Sequence, residues 1–547
     1  MTSSSPNAKT AITDISDKSF LIIDDFHEVR SIFRDILRSY GVNIKKISVA
    51  SNGIEAISLL KKRQFDMVLC DLNLGSGKNG QQILEEARLK ALIEPTCIWV
   101  IISAEKTSEA VTGTAEYQPD AYLLKPINAA TLRLRIDNIW ARKKAFEEIH
   151  QAIKKKNYPK AINLCDQRLD FDKANSAELL RVKFDLLLNS GEMERAKELL
   201  EGVMAERDLP WASTGMAKIS IKNNDLSAAK FLLKEVLAEN PSFLEAHDLL
   251  ARTLQDMGDL EETNDALERA IKISPNSVIR QKNLGDIALK MGKLENAEKA
   301  FRKSVSLGEY SVLKNADAYI GLAKACHANA NSQEALKVLD KINKNFDDEN
   351  IHLKAIAVEG IINHQNGNLE IAQQIATKLS VLVAKADISL DAKRSIEIVR
   401  LLMATGDKEN ATVLLQREIK NNPENEHLLK DAAEIFIQAG MGDEGAQLIE
   451  ASRKEAMEIM NSGVLLVSKG QYKEAVKAMF DARQAMPTNV RVLLNSAYVL
   501  ITFIQKNGPT QEIIAQARES LYAANTLSPG EPRYSQLTNL LNELTST

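Results

Sequence analysis

The chain has 547 residues, 44% apolar and 26% charged, with a formal net charge of −4. That length calls for several domains, and the composition is ordinary for a soluble chain. The near-balanced charge argues against general nucleic-acid or membrane binding, and there is no apolar run of the roughly 18 residues a membrane span requires. The four cysteines, Cys70, Cys97, Cys165 and Cys326, have no paired spacing. That favours a cytoplasmic, reducing environment over zinc or a disulfide framework.

Residues 1–17 lack a basic region followed by an apolar one, so they are read as a disordered leader and not a signal peptide. From residue 18 the chain alternates. "SFLIID" reads as a strand, "EVRSIFRDILRSYG" as a helix ending at Gly41, "ISVAS" as a strand and "GIEAISLLKKR" as a helix. Strand "FDMVLCD", helix "NGQQILEEARLKAL", strand "CIWVIISA", a weak helix "TSEAVTGTAEY" and strand "AYLLK" follow, and "NAATLRLRIDNIWARKKAFEEI" closes the region. Apolar strands separated by helices predict a doubly wound α/β domain over 18–140, with a five-stranded parallel sheet covered on both faces. Chemistry in such folds gathers at the carboxyl ends of the strands.

Those ends carry Asp24 and Asp25, Asp71, Ser103, and Lys125 followed by Pro126. Two adjacent carboxylates at the end of a buried strand repel each other unless positive charge lies between them. Three close carboxylates favour a hard divalent cation, and Mg²⁺ is the usual choice where phosphate chemistry is done. The metal and Lys125 would neutralise an incoming phosphoryl group, and Asp71 is the natural nucleophile because a carboxylate can form an acyl phosphate. Taken singly, an Asp at a strand end is a turn or cap, "KP" a turn and a buried Ser self-satisfied. All five in order on successive strands support the joint reading.

The motifs "IIDD", "ASNGIEA", "LCDLNL", "IISA" and "YLLKPI" resemble those of response-regulator receiver domains of two-component systems, which have a flavodoxin-like fold. The resemblance implies that Asp71 is the phosphoacceptor for a histidine kinase or phosphotransfer protein. It implies that Asp24, Asp25, Asp71 and the backbone carbonyl of Asn73 hold Mg²⁺, that Ser103 and Tyr122 are the switch hydroxyl and switch aromatic, and that Lys125 assists the transfer. A cis Lys125–Pro126 bond is expected. Asn73 and Glu105 resemble the pair that gives free-standing chemotaxis regulators a short-lived phosphoryl group; the alternative is that both are solvated loop residues. The loop "DLNLGSGKNG" departs from the family, with Gly75 where a Pro is usual and one extra residue before Gly80, which implies a reshaped docking loop. The Thr and Gly of "TSEAVTGTAEY" make a marginal helix, suited to a switch surface or simply short and exposed.

After residue 140 no strands are expected. A Gly or Asn followed five positions later by a small residue recurs as Gly191/Ala196, Asn224/Ala229, Gly258/Thr263, Gly292/Ala297, Gly367/Ala372, Gly406/Ala411 and Gly470/Ala475. "KKNYPKAI" and "NANSQEAL" are weaker copies, and Pro241 to Pro275 and Gly258 to Gly292 both give a period of 34. A left-handed cap ends each first helix, the small residue lets the pair pack closely, and proline stops the second helix. "DLEETNDALERAIKISPNS" and "GKLENAEKAFRKSVSLG" resemble tetratricopeptide repeats. Residues 141–545 are thus read as about eleven repeats, irregular at 308–350 and 424–456, with "PRYSQLTNLLNELTST" as a polar capping helix.

The array's concave face is expected to bind segments of partner proteins. His247, His327, His352, His364 and His427 fall in different repeats and suit packing or solvent, Trp211 suits the core, and Arg142–Lys144 and Lys154–Lys156 suit a solvated helix face. The expected function is a response regulator, not an enzyme, in which phosphorylation of Asp71 gates protein contacts of the repeats; a phosphorylation-dependent homodimer is compatible with it. The alternatives are a transcription regulator acting on nucleic acid, which lacks a recognition motif here, and a phosphate sink on a constitutive scaffold.

Overall fold

The computed structural model describes residues 14–105, 113, 116–207, 209–384 and 392–545. They form two compact units, up to Ala325 and from Cys326.

The first unit begins with a sheet of β1 (Phe20–Ile23), β2 (Ile47–Ala50), β3 (Met67–Asp71), β4 (Ile98–Ser103) and β5 (Ala121–Leu124), all parallel and ordered β2-β1-β3-β4-β5. Among the described residues, helices α1 (His27–Ser39), α2 (Gly53–Lys62), α3 (Gly80–Leu89) and α4 (Ala129–Lys154) accompany the sheet. The inner strands β1, β3 and β4 are buried along their length and apolar up to their site residues because both faces are covered, whereas the edge strands β2 and β5 are partly exposed. Leu21, Ile23, Val68, Cys70, Trp99 and Ile101 face α2 and α3, whereas Phe20, Ile22, Met67, Leu69, Val100 and Ile102 face α1 and α4. Ile15, inside the expected leader, is buried in that second layer. The expected weak helix over 107–117 falls largely outside the described residues.

One helix joins the sheet to the repeats. Leu132 and Ile136 of α4 pack under the sheet. Ala145, Phe146, Ile149 and Ala152, further along the same helix, join a core with Ala161, Leu179 and Phe184 from α5 (Tyr158–Leu169) and α6 (Ser176–Ser190). No boundary between compact units therefore falls at residue 140. Lys143 bonds to Asp120, Lys154 to Glu94 and Arg142 to Glu178, so part of the expected solvated face is exposed and ion-paired.

Helical hairpins follow as α7 (Met193–Glu206), α8 (Pro210–Lys222), α9 (Leu226–Glu239), α10 (Leu244–Met257), α11 (Leu260–Ile273), α12 (Val278–Lys290), α13 (Leu294–Gly308) and α14 (Ala316–Ala328), the last crossing into the second unit. Each turn glycine named from the sequence, and Asn224, has positive φ, and the small residue five positions on is fully buried. The weaker copies keep this geometry without glycine: Lys156 has φ 55° and Ala330 φ 62°. The cost of about 1–2 kcal/mol for such a residue is offset by packing at Ala161 and Ala335, both fully buried. Trp211 packs against the first hairpin core, and His247 bonds through Nε2 to the Pro241 carbonyl.

The second unit continues with α15 (Ser332–Asn345), α16 (Glu349–Gln365), α17 (Leu369–Ala384), α18 (Ala392–Ala404), α19 (Lys408–Asn421), α20 (Glu426–Gln438), α21 (Gly442–Ser468), α22 (Tyr472–Ala485), α23 (Val490–Asn507), α24 (Gln511–Leu527) and α25 (Pro532–Thr545). The irregularity at 424–456 has a plain cause. The 27-residue α21 serves two hairpins, meeting Phe436 of α20 at Gly445 and Met479 of α22 at Gly463. Among the described residues no helix is long and apolar enough to cross a membrane.

Candidate functional site

Strand register alone brings the expected residues to one edge. Ile23 pairs with Cys70, Asp71 with Ile102 and Ser103 with Leu124, so Asp24, Asp71, Ser103 and Lys125 stand side by side. The Lys125–Pro126 peptide is cis. Lys125 Nζ donates to Asp24 Oδ2 at 2.9 Å and to Asp71 Oδ2 at 2.8 Å. Burial pushes the Asp71 carboxyl above its ordinary value, with Lys125 opposing the shift. Burial also works against the charge on Lys125, but the bonds to Asp71 and Asp24 outweigh it and hold its pKa raised.

Asp24, Asp25 and Asp71 each offer a carboxylate oxygen within 4.8 Å of the others. Asp25 Oδ1 is buried and makes no hydrogen bond. An unpartnered buried carboxylate oxygen is expensive, and one ammonium does not balance three carboxylates. The donor set, hard oxygen ligands with surplus negative charge, therefore fits a divalent cation such as Mg²⁺.

Ser103 is buried, and its Oγ accepts the Glu105 N–H at 3.0 Å. The Tyr122 hydroxyl donates to the Glu105 carbonyl at 3.1 Å. Both expected switch residues thus meet on the backbone of Glu105, whose side chain is exposed. Asn73 is exposed, and its N–H bonds to the Asp71 carboxylate, which works with Lys125 against the rise of the Asp71 pKa.

Arg30 escaped the sequence reading, and Gly80 was named there only as the end of the loop after Asp71. Arg30 Nη1 donates to the Asp24 carbonyl at 2.5 Å, pinning the backbone between the two acids. Gly80 opens α3 under an Asn79–Gln82 capping box, and its N–H donates to the Leu72 carbonyl at 2.8 Å. A Cβ at Gly80 would lie 2.1 Å from the Asp71 carbonyl oxygen, so only glycine lets α3 start this close to the acceptor. The capping sequence "NG" three residues before a helix interior was the available signal.

The loop after Asp71 also leaves the site and meets the repeats within the first unit. Lys78 bonds to the Tyr310 carbonyl, Gln82 Nε2 donates to the Leu307 carbonyl at 3.2 Å, and the Ser311 hydroxyl donates to Glu85. The repeat that looked irregular from residue 308 carries the turn that makes these contacts. Burial raises the Glu85 pKa, with the Ser311 bond opposing.

The model of the response regulator receiver domain family matches residues 20–137, and three tetratricopeptide repeat models match residues 187–253, 244–277 and 282–349. Chemotaxis protein CheY-3 of Vibrio cholerae is 34% identical over 122 residues, 22% of this chain and 91% of the relative. Chemotaxis protein CheY of Pseudomonas aeruginosa is 27% identical over 122 residues, 22% of this chain and 95% of the relative. Among solved structures, a CheY-like response regulator receiver domain protein from Methanospirillum hungatei JF-1 is 21% identical, covering 23% of this chain and 96% of its own, with a TM-score of 0.21. MamA is 19% identical, covering 30% of this chain and 91% of its own, with a TM-score of 0.26.

Proposed function

This chain belongs to the response regulator receiver family, with tetratricopeptide repeats following its receiver domain, and from that membership we propose that it is a phosphorylation-gated interaction protein. A carboxylate oxygen of Asp71 attacks the phosphorus of a phosphohistidine on a histidine kinase or phosphotransfer protein. The O–P bond forms as the N–P bond breaks, and the imidazole nitrogen keeps the electron pair. The observation that carries this reading is Lys125 seated between Asp24 and Asp71 beside the unpartnered Asp25 oxygen.

Asp24, Asp25, Asp71 and the Asn73 carbonyl would hold Mg²⁺, which when bound supplies positive charge to the phosphoryl oxygens. Lys125, already 2.8 Å from Asp71, shifts onto a phosphoryl oxygen and stabilises the charge that develops there. Ser103 Oγ turns towards the same group and gives up the Glu105 N–H. Because Tyr122 also bonds to Glu105, its hold on the Glu105 backbone loosens with it. Asn73 and Glu105 flank the approach of hydrolytic water and set the lifetime of the acyl phosphate. The contacts from Lys78, Gln82 and Glu85 to the 307–311 turn favour gating of the repeats over a phosphate sink on an independent scaffold.

The test is to incubate the full chain with Mg²⁺ and acetyl phosphate and measure hydroxylamine-labile phosphate by intact mass. Wild type is expected to gain one such group, and Asp71→Asn none. Labelling of the variant, or of neither protein, would overturn the assignment.

A further inference from the structure

The first unit contains a groove of about 600 Å³ walled by the first helices of successive hairpins and by the receiver segment just before β5. Cations enter from four consecutive first helices. Arg181 comes from α6, Lys218 from α8 and Arg252 from α10, and Arg280 of α12 bonds to two lining residues. Two carboxylates of the repeats line the groove against them, Glu245, held by Arg181 at 2.8 Å and Lys218 at 2.6 Å, and Asp248, held by Arg280 at 2.7 and 3.0 Å, and a third, Asp185 of α6, lies within electrostatic reach of Arg181 and Lys218. The next negative group comes from the receiver. Glu116 Oε2 accepts from Arg280 Nη2 at 2.9 Å, and Glu116 Oε1 lies 3.4 Å from Nη1.

Arg280 is a built position and not a chance surface cation. It is 4% exposed, gripped in parallel by Asp248, and bonded to the Ser274 carbonyl at 3.0 Å. Such a fixed guanidinium is suited to bidentate recognition of a carboxylate, and in this structure it is already receiving one from another domain. Without Glu116, the repeat wall carries more positive than negative groups around a strip formed by Phe243, Leu244 and Leu249.

We propose that this groove binds an acidic segment of a partner protein, whose carboxylate takes the place on Arg280 that Glu116 holds here. The receiver is then a lid that carries its own imitation of the ligand. Control of the exchange by Asp71 rests on the phosphotransfer reading above. Glu116 lies on the connection that leaves Ser103 and Glu105, and Lys78, Gln82 and Glu85 lie on the loop and helix that leave Asp71. Two of the receiver's contacts with the repeats, beside the shared helix α4, are thus made by residues that follow site residues in the chain.

The test uses the full chain and a fluorescein-labelled oligoglutamate peptide, read by fluorescence anisotropy at low salt, with oligolysine of equal length as control. Glu116→Gln keeps the shape of the lid residue and removes its charge, whereas substitution of the buried Arg280 would risk the fold. Glu116→Gln is expected to bind oligoglutamate at least about tenfold more tightly than wild type, as expected when a partly buried charge competitor is removed. Adding the exposed Arg252→Glu should abolish the gain, and oligolysine should show none. Wild type treated with Mg²⁺ and acetyl phosphate should match Glu116→Gln, and Asp71→Asn should not respond. Equal affinities of wild type and Glu116→Gln, or an equal gain for oligolysine, would overturn the groove assignment. If Glu116→Gln gains but wild type with measured acyl phosphate does not, control by Asp71 is refuted and the groove stands. If no acyl phosphate forms, the phosphotransfer reading fails, and the Glu116→Gln comparison still decides the groove.

Discussion

Gly80→Ala tests how closely the site depends on the start of α3. The added Cβ would stand 2.1 Å from the Asp71 carbonyl oxygen, 3.0 Å from its carbonyl carbon and 3.0 Å from Cys70 Sγ. Comfortable contacts begin near 3.5 Å, so about 1 Å of backbone movement is required. The movement cannot be taken up by a flexible side chain, because the clash is with backbone that Gly80 itself grips through Leu72. Overpacking of this kind costs about 1–3 kcal/mol, and a displacement of about 1 Å at the acceptor should slow phosphorylation about 100-fold. Stability would be read by hydrogen exchange of the β3 and β4 amides, and the rate by acetyl phosphate labelling of the full chain. Gly77→Ala is the control. Gly77 has φ +97° but open space around it, so alanine there should cost about 1–2 kcal/mol of backbone strain and leave labelling unchanged. Wild-type exchange and labelling in Gly80→Ala would refute the steric reasoning.

Lys125→Met should lower the labelling rate about 100-fold or more, by loss of the ammonium beside the acceptor. Because the folded-state pKa of Lys125 is raised above 10.5, its stabilisation is full below that value and is lost as pH rises through the folded pKa. Exchange-derived receiver stability of wild type minus Lys125→Met should therefore shrink in that alkaline window, and a constant difference would count against the assigned ion pairs. All four cysteines are buried, and burial pushes Cys97 up to about 12. Ellman's reagent should find no reactive thiol in native protein near neutral pH and all four after denaturation; rapid native labelling would contradict the packing. Phe301 fills the space between Gly285 and Gly321, whose added Cβ atoms would approach its ring to 2.7 and 2.3 Å. Phe301→Ala should destabilise the α12–α14 region by about 3–5 kcal/mol, seen as faster amide exchange there and not in the sheet.

The sheet was legible because its inner strands are buried on both faces, and the order of Asp24, Asp71, Ser103 and Lys125 along the chain becomes adjacency once parallel register is assumed. The repeats were legible because a left-handed turn and a small residue recur at fixed spacing. Asn224 shows that the turn conformation, not glycine as such, is what recurs. Glu105 was noticed for its side chain, yet its backbone is what joins Ser103 to Tyr122, and a backbone role leaves no residue-type signature. The pair Glu116–Arg280 was invisible for another reason. Its members lie 164 positions apart in two separate sequence patterns, each of which is complete without the other. Likewise, 308–350 looked like decay of the repeat until Leu307, Tyr310 and Ser311 were seen to receive the receiver.

The helix shared by sheet and repeats also fixes a rotational phase. Its 26 residues make a rod of about 39 Å at 1.5 Å per residue. Ile136 must point at the sheet while Phe146 and Ile149 point into the first hairpin. One residue inserted between them would turn everything downstream by about 100°, carrying Lys154 away from Glu94, whereas an insertion of about seven would nearly restore the angle. Receivers exchanged onto this array should therefore work or fail by helical phase, so a successful graft would be counted in whole turns and not in matched sequence.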